Sequence, residues 1–77
     1  MKLTELARGR IGRVVAIADA TAELEAKLRE VGFSEGDEVE MLTHGPLGGR
    51  TIAVRLNRSI IALRAREAEL IRIEAAS

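Results

Sequence analysis

Residues 44–50, His44-Gly45-Pro46-Leu47-Gly48-Gly49-Arg50, hold the only proline of the chain and three of its seven glycines. Proline pre-sets φ for the second position of a turn, and glycine supplies positive φ without a Cβ clash. The stretch is flanked by two runs of alternating character. Before it, Val39, Met41 and Thr43 alternate with Glu38, Glu40 and Leu42; after it, Ile52, Val54 and Leu56 face one way and Arg55 the other. Period-two alternation marks a strand with one buried face. The chain is therefore expected to form a hairpin here, from residues 38–44 and Thr51–Leu56, with a loop longer than the two-residue type. Leu47 falls at the loop tip. Two roles stay open for it: a contact knob held out on a rigid turn, or a cap folded back over one end of the body.

The remaining elements follow from similar arguments. Leu3 and Leu6, with Thr4 as candidate N-cap, suggest one short helical turn. Gly9 and Gly12 read as a turn and a bulge before a first strand over residues 10–17, with Ile11, Val15 and Ile17 on one face and Val14 and Ala16 on the other. Asp19 or Thr21 can cap a helix running to about Val31, whose Leu24, Leu28 and Val31 share a face at i, i+4 and i+7. Glu23 with Lys27 and Glu25 with Arg29 are favourable i,i+4 pairs on its exposed side. Gly32 suits the left-handed position after the last turn, which would bring Phe33 onto Leu28. Residues 34–37 form a turn, and their acidic neighbourhood (Glu35, Asp37, Glu38, Glu40) reads as solvated carboxylates rather than a cation site. Asn57-Arg58 reverses the chain into a strand over Ser59–Arg64, because Asn tolerates positive φ. A one-turn helix over 65–69 and a last strand over 70–74 complete the chain.

This gives a mainly β chain: five short strands, one helix after the first strand, and short helical turns. Seventy-seven residues suffice for one small domain spanning 1–77. Strands this short favour a strongly bent sheet closed into a small barrel, with the helix over one open end.

Composition narrows the function. Twelve basic and twelve acidic residues cancel, whereas a nucleic-acid module carries a basic excess on one face. The one aromatic, Phe33, offers no stacking platform for single strands. Without cysteine there is no disulfide and no thiolate zinc site, and a lone His44 cannot assemble a transition-metal site. No nucleophile–base pair or phosphate-cradling loop before a helix is evident, so neither an enzyme nor a bound cofactor is expected. No signal peptide or bilayer-length apolar run is visible, and a cytoplasmic protein is expected.

Four patterns then coincide in order along nearly the whole chain. They are Leu3-x-x-Leu6-x-x-Gly9-x-x-Gly12-x-Val14-x-x-Ile17, then Leu28-Arg29-Glu30-Val31-Gly32-Phe33 followed by Gly36. Pro46-Leu47-Gly48 comes next, and Ile61-Ala62-Leu63-Arg64-Ala65-Arg66-Glu67-Ala68-Glu69-Leu70-Ile71-Arg72-Ile73 ends the series. Together they resemble the FeoA family. The resemblance implies an SH3-like barrel and a cytoplasmic accessory protein of bacterial ferrous iron uptake. Its implied partner is FeoB, a membrane transporter with a cytosolic GTP-binding domain, so any membrane association would run through that partner. Related domains end DtxR-type metal-dependent repressors, which supplies the alternative of a regulatory module. With no winged-helix reader ahead of Met1, a free-standing protein is the expectation. Gly49-Arg50 stands where many members carry an acidic residue and a proline, which changes the charge of the loop.

The candidate partner-binding residues are Pro46, Leu47, Gly48, Gly49, Arg50 and Arg64. Pro46 and the glycines would shape the tip, Leu47 would fill a pocket, and Arg50 would add a charge-assisted hydrogen bond. A structural role competes for each, above all for Gly48 and Gly49, where close backbone approach needs glycine. For Arg64 the competing role is a salt bridge or carbonyl cap within the barrel. True SH3 grooves are aromatic, so proline-rich peptides are not the expected ligand. Edge pairing between copies offers a route to homo-oligomers.

Overall fold

The computed structural model describes residues 1–45 and 50–76. A 3-10 turn over Leu3–Glu5 leads to β1 (Ile11–Ile17), α1 (Ala22–Val31), β2 (Glu38–Thr43), β3 (Thr51–Leu56), β4 (Ser59–Arg64), α2 (Ala65–Ala68) and β5 (Ile71–Ala75). The strands form one antiparallel sheet in the order β4-β3-β2-β1-β5. Among the described residues no ladder joins β4 to β5, so the hydrogen-bonded sheet has two edges. That of β5 is partly covered: Lys2 bridges Arg72, and Ile73 N–H donates to Met1 O at 2.8 Å. Among the described residues β4 is the edge with no partner beyond β3.

α1 starts and stops by side-chain and backbone chemistry that the sequence spells out. Thr21 Oγ1 accepts from Leu24 N–H at 3.2 Å, so Thr21 is the N-cap. Asp19 is instead in a left-handed conformation (φ 60°), and its carboxylate receives Arg72 at 3.2 Å. At the other end Gly32 (φ 129°) donates to Arg29 O and Phe33 donates to Leu28 O at 3.2 Å. These are the two hydrogen bonds of a Schellman stop. The stop turns Phe33 inward, where it and Leu28 are both fully buried in the core cluster with Val39, Val54, Leu56 and Ile71. Among the described residues no polar or charged residue is buried, so the core is held by apolar burial. The next turn, Ser34 to Asp37, closes with Asp37 N–H to Ser34 O at 3.1 Å and places Gly36 at φ 94°. Positive φ at the third residue marks a type II turn.

Several expected faces are corrected. Ile11 and Val15 are exposed, while Gly12 and Val14 point inward and Ile17 packs against the core. The register of β1 against β5 shifts between Val14 and Ala16. This extra residue reverses the alternation, so no single parity describes the strand. The bulge therefore lies there and not at Gly12. A Cβ at Gly12 would come within 2.7 Å of Ile73 Cδ1 and 3.2 Å of Glu74 O, which makes this glycine a close-approach position between β1 and β5. A second shift between Met41 and Thr43 leaves Thr43 exposed rather than inward. Val31 is exposed at the end of α1. Thr4 is not the cap of the first turn; the Glu5 carboxylate accepts from Lys2 N–H there, at 2.7 Å. Lys27 reaches Glu67 rather than Glu23, whereas Glu25 and Arg29 do pair.

Two outcomes check this packing. Phe33→Ala removes the only aromatic from a closed core and is expected to cost about 3–5 kcal/mol, enough to unfold much of so small a protein in urea titrations followed by circular dichroism. Gly12→Ala is expected to cost about 1–3 kcal/mol, whereas Gly9→Ala, which meets nothing within 4 Å, should carry only the positive-φ strain. Equal losses at the two glycines would contradict the close-approach assignment.

Candidate interaction surface

The loop that dominates the sequence joins β2 to β3, and its tip, Pro46, Leu47, Gly48 and Gly49, lies outside the described residues. Its two stems are described. On the β2 side His44 is half-buried, with Nε2 3.0 Å from Leu6 O. A carbonyl can only accept, so Nε2 carries the proton and ties the loop base to the N-terminal segment. Gly45 (φ 83°) follows, its N–H donating to Thr43 Oγ1 at 3.1 Å. A Cβ there would collide with Thr51 O, so the chain needs glycine at this position.

On the β3 side Arg50 is exposed, and its carbonyl accepts from Ala65 N–H at 2.9 Å. That bond extends the β3–β4 ladder, in which Thr51 faces Arg64. Arg50 and Arg64, far apart in sequence, are thereby set side by side. With Ala65, Arg66 and Glu69 they line an open groove of about 400 Å³. Glu69 pairs with Lys2 at 3.8 Å. Glu67, at the same turn, is not part of the groove lining and is held by two donors: its oxygens accept from the Arg64 backbone N–H at 3.2 Å and from Lys27 Nζ at 3.1 Å. Partial burial pushes the Glu67 carboxyl up, but these two donors outweigh it and the net shift is downward. Arg64 thus contributes its backbone to the start of α2, while its guanidinium stays exposed; neither the salt bridge nor the carbonyl cap expected of it is found among the described residues.

Elsewhere among the described residues four arginines are matched to carboxylates, while Arg8, Arg10 and Arg58 have no such ion pair. Arg13 on β1 lies 3.9 Å from Glu38 on β2 and 3.4 Å from Glu74 on β5, directly across both ladders. Arg55 and Glu40 pair across β2 and β3 at 3.7 Å. Arg29 grips Glu35 with two nitrogens, at 2.8 and 3.1 Å, and Glu25 with its Nε at 3.0 Å. Thus Glu35, Glu38 and Glu40 of the expected acidic turn each have an arginine.

A family model described as "FeoA domain" matches residues 1–75. The chain belongs to the FeoA family. Among solved structures it is similar to iron(II) transport protein A from Clostridium thermocellum, at 37% identity and TM-score 0.87, covering 97% of this chain and 45% of that one. The FeoA protein from Chlorobium tepidum gives 31% identity and TM-score 0.88, covering 100% and 71%. FeoA from Stenotrophomonas maltophilia, solved with zinc and described as an SH3 domain protein, gives 34% and 0.82, covering 96% and 89%. A manganese-dependent transcriptional repressor shares the fold at TM-score 0.88 but only 20% identity, over 99% of this chain and 41% of that one. No curated protein matches. The chain spans less than half the length of the C. thermocellum relative.

Sequence reasoning singled out Arg50 and Arg64 but missed Arg66 and Glu67. Arg66 stands exposed on α2 directly after the edge strand β4, whereas the Glu67 side chain is 14% exposed and Ala68 is buried, a difference set by how the helix packs.

The Arg29–Glu35 pair gives a pH prediction. Hydrogen bonding to Arg29 holds the Glu35 carboxyl down at about 2. A depressed acid stabilises the fold above its ordinary pKa, and that contribution is lost as pH falls through the folded value. Carboxyl titration by NMR should therefore place Glu35 near 2. Arg29→Met should raise it toward the ordinary carboxylate range, the backbone hydrogen bond to Glu35 remaining, and reduce its part of the acid sensitivity.

Proposed function

We propose that this FeoA-family chain is a non-enzymatic cytoplasmic accessory protein of ferrous iron uptake. It docks on the cytosolic GTPase region of an FeoB-like transporter and modulates that transporter's assembly or GTP-driven activity. The observation that carries the reading is the family match over residues 1–75. The S. maltophilia relative, described as possibly acting as a ferrous iron transport activating factor, supports it. Five antiparallel strands in one sheet support the SH3-like barrel as the shape in which this work is done. Among the described residues no helix is long and apolar enough to cross a membrane, which agrees with recruitment through the transporter.

The contact surface in this reading is the β2–β3 loop and its Arg50 stem. Pro46, Gly48 and Gly49 shape the tip, Leu47 enters a pocket, and Arg50 and Arg64 supply charge-assisted hydrogen bonds beside it. The regulatory-module alternative, part of a DtxR-type transcription system, draws on the repressor's shared fold alone.

The test is calorimetric titration of the purified cytosolic region of an FeoB-like transporter, with and without guanine nucleotide. Wild type should bind saturably, and Leu47→Ala, still folded by circular dichroism, should bind about tenfold more weakly. Wild-type affinity for Leu47→Ala would move the contact away from the loop. No binding to the cytosolic region or the full-length transporter, beside a shift of metal-regulated promoter DNA in a repressor's presence, would favour the alternative.

A further inference from the structure

Formal charge is zero, yet charge is unevenly used in space. Among the described residues Arg13, Arg29, Arg55 and Arg72 all have carboxylate partners. Six others, Arg8, Arg10, Arg50, Arg58, Arg64 and Arg66, have no such ion pair among the described residues, and three of these, Arg50, Arg64 and Arg66, converge on one groove. Among the described residues that line it the single carboxylate, Glu69, is shared with Lys2. The groove therefore has a local positive excess on a neutral chain.

We propose that this groove receives an extended acidic segment of a partner protein, with Arg50, Arg64 and Arg66 as its carboxylate receptors. Guanidinium is planar and always charged, and its paired donors match a carboxylate in bidentate fashion. Position argues for an extended occupant. The groove opens at the end of β4, the sheet edge with no partner beyond β3 among the described residues, whose outward N–H and C=O groups can accept an added strand. The same features count against a nucleotide. The one aromatic ring is fully buried in the core, so no ring faces the groove to stack a base. Recognition by unpaired surface arginines is salt-sensitive and set by charge spacing. The inference deepens the docking reading and depends on it only for the partner's identity.

The test uses a fluorescein-labelled oligoglutamate peptide and anisotropy at low salt, with the full chain. Wild type should bind saturably. Arg64→Ala/Arg66→Ala should weaken binding at least about tenfold, with Arg66→Ala alone as the milder variant should the double one unfold. Arg58→Ala, at the β3–β4 turn far along the hairpin and unpaired among the described residues, should bind like wild type. Equal weakening by Arg58→Ala would show generic attraction and overturn the proposal, as would no saturable binding. Displacement of the peptide by inorganic phosphate or GTP at concentrations below the peptide's own Kd would make the groove a phosphate site, also overturning it. Excess peptide should compete with the transporter's cytosolic region. Transporter binding indifferent to peptide would sink the groove and spare the docking reading; peptide binding without transporter binding would do the reverse.

Discussion

The structure depends on how α1 ends. Leu28, Gly32 and Phe33 form one device: the glycine's positive φ stops the helix, two backbone hydrogen bonds close the stop, and the following phenylalanine is driven into the core. A Cβ at Gly32 would lie 3.4 Å from Leu56 Cδ2, an ordinary contact, so it is the positive φ and not space that calls for glycine here. From this point the chain enters the type II turn that launches β2 beside β1. With no cysteine in the chain and no buried polar residue among the described ones, this aliphatic core with one aromatic must supply the stabilisation. That makes the stop the constraint on which the sheet's order rests.

The sheet's surface pairs have a different task. Arg13 with Glu38 and Glu74, and Arg55 with Glu40, are exposed cross-strand pairs, each worth at most about 1 kcal/mol. Their value lies in register, since they sit opposite one another only when the ladders are correctly aligned. Arginine is thus used in two ways. Among the described residues Arg13 and Arg55 on the strands are matched, while the unpaired arginines include three, Arg50, Arg64 and Arg66, gathered at the β4–α2 end beside the loop stem. A neutral total conceals this separation, which is why net charge alone says so little about where a partner contacts the protein.

Much of the fold was legible in sequence because local rules agreed with the tertiary outcome. The cap at Thr21, the stop at Gly32, the reversal at Asn57 (φ 57°) and the strands Thr51–Leu56 and Ser59–Arg64 all rest on short-range chemistry. What escaped was set by long-range pairing. The bulges in β1 and β2 reverse alternation without any glycine or proline to announce them. Gly12 looked like a bulge, yet it is small because Ile73 of a strand sixty residues later packs against it. At the candidate surface, Arg50 and Arg64 were readable singly. Their meeting was not, because the ladder between β3 and β4 creates it, and Arg66 joins them only through the turn of α2.

The central claim is that this end of the sheet, and not the charged face of α1, meets the partner. The most direct measurement is amide chemical-shift mapping of the isotopically labelled chain while the transporter's cytosolic region is added. The account predicts that the strongest changes fall on the β2–β3 loop stems, the end of β4 and α2, from His44 to Arg50 and from Leu63 to Glu69. Changes confined to the exposed face of α1, around Glu23, Lys27 and Glu30, would contradict it.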